Sequence, residues 1–147
     1  MNKYVRAALW GLGIGYAIQF VIAYSAGYTF RQALIPSEAL RLRLMMDPTD
    51  PMAVEIAKAA QTATEAEQIV NARMTYQFSA DIYGHEAIPS LAEIRAAAVD
   101  GKLRGDCKAF AVLLGSVWLA MGVDFKVHTS YDHVWLEARR LKGAASA

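Results

Sequence analysis

The chain has 147 residues, and at about 150 residues per domain that allows one domain and a short appendage, which excludes a multidomain assembly. Fifteen Lys and Arg stand against fourteen Asp and Glu, so the basic excess that a nucleic-acid groove uses is missing and no nucleic-acid partner is expected. A single cysteine excludes an internal disulfide framework and a multi-cysteine zinc site. It leaves two readings of Cys107, a reactive thiol or a buried small hydrophobe.

The chain opens on its most apolar stretch. From Ala7 to Phe30 it runs 24 residues without Asp, Glu, Lys or Arg. About 20 apolar residues cross the hydrocarbon core of a bilayer, so this run is long enough to span with some tilt. Trp10, Tyr24 and Tyr28 lie toward its ends, where amphipathic rings favour the headgroup level. The preferred reading is a transmembrane helix that anchors the protein to the membrane through residues 7–30. A cleaved signal peptide is the rival, with the small residues Ala23 and Ser25 at the −3 and −1 positions of its cleavage site, and a buried glycine-rich hairpin is the third reading. Lys3 and Arg6 before the run and Arg31, Arg41 and Arg43 after it nearly balance, so basic residues do not decide orientation.

Residues 31–147 hold 61 hydrophobic residues out of 117, enough for a core of their own. The expected organisation is an anchor or signal over 1–30, a short helix and linker over 31–52, and one folded domain over 53–147. Ser37 to Met46 reads as a short helix, ended by the breaker Asp47-Pro48-Thr49-Asp50-Pro51. Asp50 as N-cap with Pro51 at the first helical position predicts an alanine-rich helix through about Met74, with Val54, Ala57, Ile69 and Val70 toward the core. Tyr76 to Ile82 is less regular. Ser90-Leu91-Ala92-Glu93 is a capping box opening a helix that ends near Gly101.

Between an Asp106 cap and a Gly122 stop, the strongly polar residues are Lys108 and Ser116 alone, so this helix belongs in the centre of the domain. Val123 to Ser130 and His133 to Arg139 then alternate as two strands of a hairpin. A turn at Tyr131-Asp132 sets Lys126 opposite Glu137 and Asp124 opposite Arg139, two favourable charge pairs; moving it back by one residue would set Asp124 against Glu137.

Cys107 falls in the first turn of the central helix, where free N–H groups and the helix dipole favour an anion and are expected to lower the thiol pKa. Its backbone N–H can also face the oxyanion of an acyl intermediate. A strand histidine, His133, can return to the same place through the hairpin and take the thiol proton. His128 is the competing base on the same face as His133, and His85 reads as a solvated loop residue. Trp135 is expected to wall a cleft, and Trp118 to pack in the core. The three histidines make no metal signature, and neither a metal nor a cofactor is expected.

Gly105-Asp106-Cys107, an apolar helix, a Gly-Val step and then His133-Val134-Trp135-Leu136-Glu137 together resemble the transglutaminase-like superfamily, in particular its bacterial cysteine-proteinase branch. The resemblance spans roughly residues 54–139, with Tyr76 and the segment Pro89 to Leu103 in the family's order. It implies an α+β fold with a papain/transglutaminase-like core, in which the helix carrying Cys107 packs on a small antiparallel sheet. It implies Cys107 as nucleophile and His133 as general base and acid of a thiol protease, hydrolase or acyltransferase acting on a peptide or protein amide. A soluble domain outside the cytoplasm and an anchored chain fit the same family. Its third residue, an Asp or Asn beyond the histidine, has no counterpart: no Asp, Glu or Asn follows Glu137, and Glu137 lies about 13 Å along the strand from His133. A Cys-His dyad, an orienting group such as Asp81, a partner protein that completes the site, and a catalytically inactive domain that binds a peptide or a membrane partner all stay open. Lys108 also stands where relatives carry an acidic residue.

Overall fold

The computed structural model describes residues 12–22, 37–84 and 86–139. Of the uncharged run, residues 12–22 are helical, with every side chain but Phe20 exposed. Among the described residues no helix is long and apolar enough to cross a membrane. The rest of that run, its cleavage position, His85 and the tail after Arg139 lie outside the described residues.

The remainder is α+β. Helix α1 (Glu38–Met45) starts where the Ser37 hydroxyl accepts from the Leu40 N–H. The breaker after it folds on itself, with the Asp47 carboxylate accepting from the N–H and the hydroxyl of Thr49. Helix α2 (Pro51–Ala59) begins with Asp50 as N-cap and proline in the first turn, as its sequence predicts. The single long helix expected here is in fact two. It breaks at Ala60, and α3 (Ala63–Arg73) restarts from Thr62, whose hydroxyl accepts from the Glu65 N–H while the Glu65 carboxylate accepts from the Gln61 N–H. That cap makes the break cheap, and the break lets Ala53, Ile56 and Ala60 of one segment and Ala66 and Val70 of the other all reach the core. Val54 is half-buried instead.

The irregular stretch resolves into strand β1 (Met74–Tyr76) and a one-turn helix α4 (Ser79–Tyr83). The Ser90–Glu93 capping box forms in full, but its helix α5 (Leu91–Ala96) stops short of Gly101. Asp100 and Gly101, with φ of 50° and 75°, form a tight turn across which Val99 and Lys102 exchange both backbone hydrogen bonds. Positive φ at two successive residues suits Asp-Gly and ends any helix. Strand β2 (Leu103–Gly105) follows and pairs parallel to β1, with Tyr76 beside Gly105.

Helix α6 (Cys107–Ala120) is the centre. Nine of its residues are buried, against α1, α2, α3 and α5 on its flanks and the sheet residues beyond. It ends as expected at Gly122, with φ of 73°: the Val123 N–H reaches back to the Trp118 carbonyl and the Gly122 N–H to that of Leu119. Strands β3 (Phe125–Thr129) and β4 (Val134–Ala138) form the antiparallel hairpin. Its register is the expected one, Lys126 opposite Glu137, with the Arg139–Asp124 ion pair at 3.4 Å beyond the strand ends. Phe125, Val127 and Val134 face the core, where Phe125 meets Trp118 and lies under the Arg43 guanidinium. Leu42 and Met46 enter the same core from α1.

Candidate functional site

The site is built at the first turn of α6. Asp106 is extended, and one carboxylate oxygen accepts from the N–H groups of Lys108 (2.9 Å) and Ala109 (3.2 Å), fixing where the helix begins. The other oxygen accepts from the Ser79 hydroxyl at 2.5 Å and from the Ser79 N–H at 3.4 Å. Asp106 and Ser79 are both buried, so α4 and the start of α6 are tied together inside the protein. The Lys108 ammonium pairs with Glu86 and lies 3.8 Å from Asp106. Gly105 must be glycine for a packing reason: a Cβ there would come closer than 3.0 Å to the Cβ of Ala109, one turn into the helix. This close approach of strand to helix sets Cys107 beside Tyr76.

Cys107 then stands at the waist of a two-lobed cleft. A cavity of about 320 Å³ and one of about 230 Å³ share Tyr76, Asp106, Cys107, His133 and Val134 as common wall. The larger lobe is walled by Met74, Phe110, Leu114, Trp135 and Leu136, with Glu67 and Asn71 at its polar side. Phe110 and Leu114 follow Cys107 at three and seven residues, so the helical period alone aligns them with the sulfur. The smaller lobe is lined by Glu38, Phe78, Glu86, Lys108 and the turn residues Ser130, Tyr131 and Asp132. Trp135 walls the cleft as its sequence position suggests.

Val134 shows how the hairpin meets the helix. The backbone bonds Ser130 N–H to His133 carbonyl and Arg139 N–H to Asp124 carbonyl make Thr129 and Val134 a non-hydrogen-bonded pair. The Val134 N–H therefore leaves the open edge of β4 on the side of Cys107, where it favours the thiolate. The thiol is nonetheless pushed above its ordinary pKa. Burial is the main cause, and the negative charges of Asp106 and Glu38 add to it, against the Val134 N–H and the Lys108 ammonium. The lowering expected from the helix N-terminus alone is therefore overturned, because desolvation of a half-buried sulfur outweighs one helix end. Burial, with Cys107 and Asp106 beside it, likewise raises the Tyr76 phenol.

His133 lines both lobes with Cys107, but its ring stacks on Trp135, centroids 5.9 Å apart and planes 16° from parallel. Among the described residues no hydrogen bond joins that ring to the thiol or to any carboxylate or amide. His128 lies outside both lobes, on the outer face of the hairpin: it too stacks on Trp135, at 5.1 Å, and it hydrogen-bonds Glu137 at 2.6 Å. Asp81 is exposed on α4 and lines neither lobe. Sequence reasoning missed Ser79, Glu67, Asn71, Glu38 and Glu86. No local signal marks Ser79, whose role arises only from the β1–β2 pairing that brings α4 to α6.

Among the described residues no group of three or more His, Cys, Asp or Glu side chains is placed to hold a metal ion. The arrangement offers one half-buried sulfur, two backbone N–H groups around it, an exposed imidazole in the same cleft, and space on both sides for an extended chain. Compared with family models, with curated proteins and with solved structures, the chain matches none.

Proposed function

We propose that the protein is a membrane-tethered, transglutaminase-like cysteine hydrolase or acyltransferase that acts on a peptide or protein amide. The observation that carries this reading is the shared cleft: Cys107 and His133 line both lobes, with the sulfur at the waist between them. In the proposed reaction His133 takes the thiol proton as sulfur bonds to the amide carbonyl carbon, and the carbonyl electrons move to oxygen, facing the Cys107 N–H. Collapse of this intermediate breaks the carbon–nitrogen bond, and the leaving amine takes the proton back from His133. Water then hydrolyses the thioester, or an amine captures the acyl group. A thiol held above its ordinary pKa needs this base, since little thiolate forms without it. Residues 7–30 would tether the chain and set the domain outside the cytoplasm. A papain-like core and a partner protein completing the site belong to the same proposal.

A second reading, a catalytically inactive domain of this class that binds a peptide or membrane partner, is favoured by two facts together. Burial pushes the thiol pKa up, and no hydrogen bond among the described residues joins it to His133. A fluorogenic peptide-amide library separates the two. The enzyme reading expects turnover that Cys107→Ala and His133→Ala each abolish, with the double variant losing little more. Peptide binding without turnover by the wild type would establish the inactive module.

A further inference from the structure

The outer face of the hairpin carries three side chains that the reaction above does not use, Glu137, His128 and Trp135, in a ladder that ends on His133. Glu137 hydrogen-bonds His128 at 2.6 Å; the His128 ring lies on Trp135 at 5.1 Å and within 6° of parallel; the His133 ring lies on Trp135 at 5.9 Å and 16°. Register explains the order. His128 is the cross-strand partner of Trp135, and His133, Trp135 and Glu137 alternate along one face of β4. Trp135 thus stacks with two imidazoles and also lines the larger lobe with Cys107.

We propose that Trp135 is the positioning residue of His133, held by the Glu137–His128 pair, and that it replaces the orienting carboxylate or amide that a cysteine–histidine site otherwise uses. This rests on the reading of His133 as the base. An imidazole with no hydrogen-bond partner rotates freely about two torsions, and a base is useful only while it faces the nucleophile. Ring stacking narrows that rotation to orientations flat against the indole. It acts a second time when His133 takes the thiol proton, because an imidazolium on an indole face is attracted by the ring's quadrupole. Glu38 of α1, Tyr76 of β1, Asp106 and Lys108 at the start of α6, Glu86 and Asp132 share the smaller lobe with His133 and are the same in every variant. Differences between variants therefore report the ladder.

The test uses the full chain and iodoacetamide as the probe of Cys107, with the alkylation rate followed across pH. Trp135→Leu is expected to slow alkylation of Cys107 about threefold to tenfold near neutral pH, whereas Trp135→Phe keeps most of the rate. His128→Ala, which removes the other imidazole stacked on Trp135, is expected to act in the same direction and less. Trp135 is 44% exposed, and far-UV circular dichroism checks that each variant folds. If His133→Ala flattens the alkylation profile while Trp135→Leu and His128→Ala leave it unmoved, the base stands and the positioning role is overturned. If His133→Ala leaves the profile unchanged, the base assignment falls and the positioning role with it.

Discussion

Gly105→Ala places one methyl group at the point where β2 touches α6. Its Cβ would come within 3.0 Å of the Ala109 Cβ, 3.2 Å of the Met74 Cε and 3.7 Å of the Ala109 Cα. Ordinary carbon–carbon contact is about 3.5 Å or more, so the first turn of α6 must retreat by at least about 0.5 Å. The clash partner is fixed to backbone, and that backbone is held by the Asp106 cap and the β1–β2 pairing, so rotation of a side chain cannot relieve it. Overpacking of this kind costs about 3 kcal/mol, the upper end of its usual range. For a domain of this size that lowers Tm by about 15 °C. Gly115→Ala is the internal control. Its Cβ meets the Met46 Sδ and Cε at 2.5 Å, but these end a flexible side chain, and alanine raises helix propensity, so its cost should stay within about 1 kcal/mol. Thermal unfolding followed by circular dichroism measures both. A Gly105→Ala protein that melts within about 3 °C of wild type would refute the close approach that positions Cys107.

Ser79→Ala removes a buried hydrogen bond to the Asp106 carboxylate and should cost about 2 kcal/mol in urea unfolding, while the cap on α6 persists; a loss under about 0.5 kcal/mol would contradict the tie between α4 and α6. The folded state holds the Cys107 proton more tightly than the unfolded chain, so the stability it contributes is present below the unfolded thiol pKa of about 8.5 and is lost as pH rises through the higher folded value. Wild type should therefore lose stability relative to Cys107→Ser between about pH 8 and 10, and parallel pH profiles of the two in urea would oppose the burial argument. Asp124→Ala breaks an ion pair whose side chains are 56% and 57% exposed, and the cost should stay under about 1 kcal/mol, read as a small Tm shift in 0.1 M salt.

Where one local rule governed, the sequence was legible. The caps at Asp50, Ser90 and Asp106, the Gly122 stop, the apolar central helix and the hairpin register all follow from a few neighbouring residues, and all are present. Two local signals were readable but outweighed by helical composition: Thr62 with Glu65 restarting α3, and Asp100-Gly101 turning the chain into β2. The parallel β1–β2 pair had no local signal, since three-residue strands have no period to read, and their pairing depends on a crossover of 26 residues. With it went Ser79, the acidic lining from Glu38 and Glu86, and the net direction of the thiol's titration. A helix N-terminus is visible in a sequence, whereas the burial and the carboxylates that outweigh it come from segments far along the chain. The Trp135 stack is readable only once register puts His128 across from it.

Catalysis at this site requires that Cys107 be acylated with the help of His133. Peptide-mapped mass spectrometry of the full chain after incubation with a nitrophenyl ester of an N-blocked apolar amino acid measures this without knowledge of the natural substrate. Acyl addition at Cys107 is expected, absent in Cys107→Ala and at least about tenfold slower in His133→Ala near neutral pH. An unmodified Cys107 that iodoacetamide still labels, or acylation at the same rate without His133, would contradict the catalytic pair.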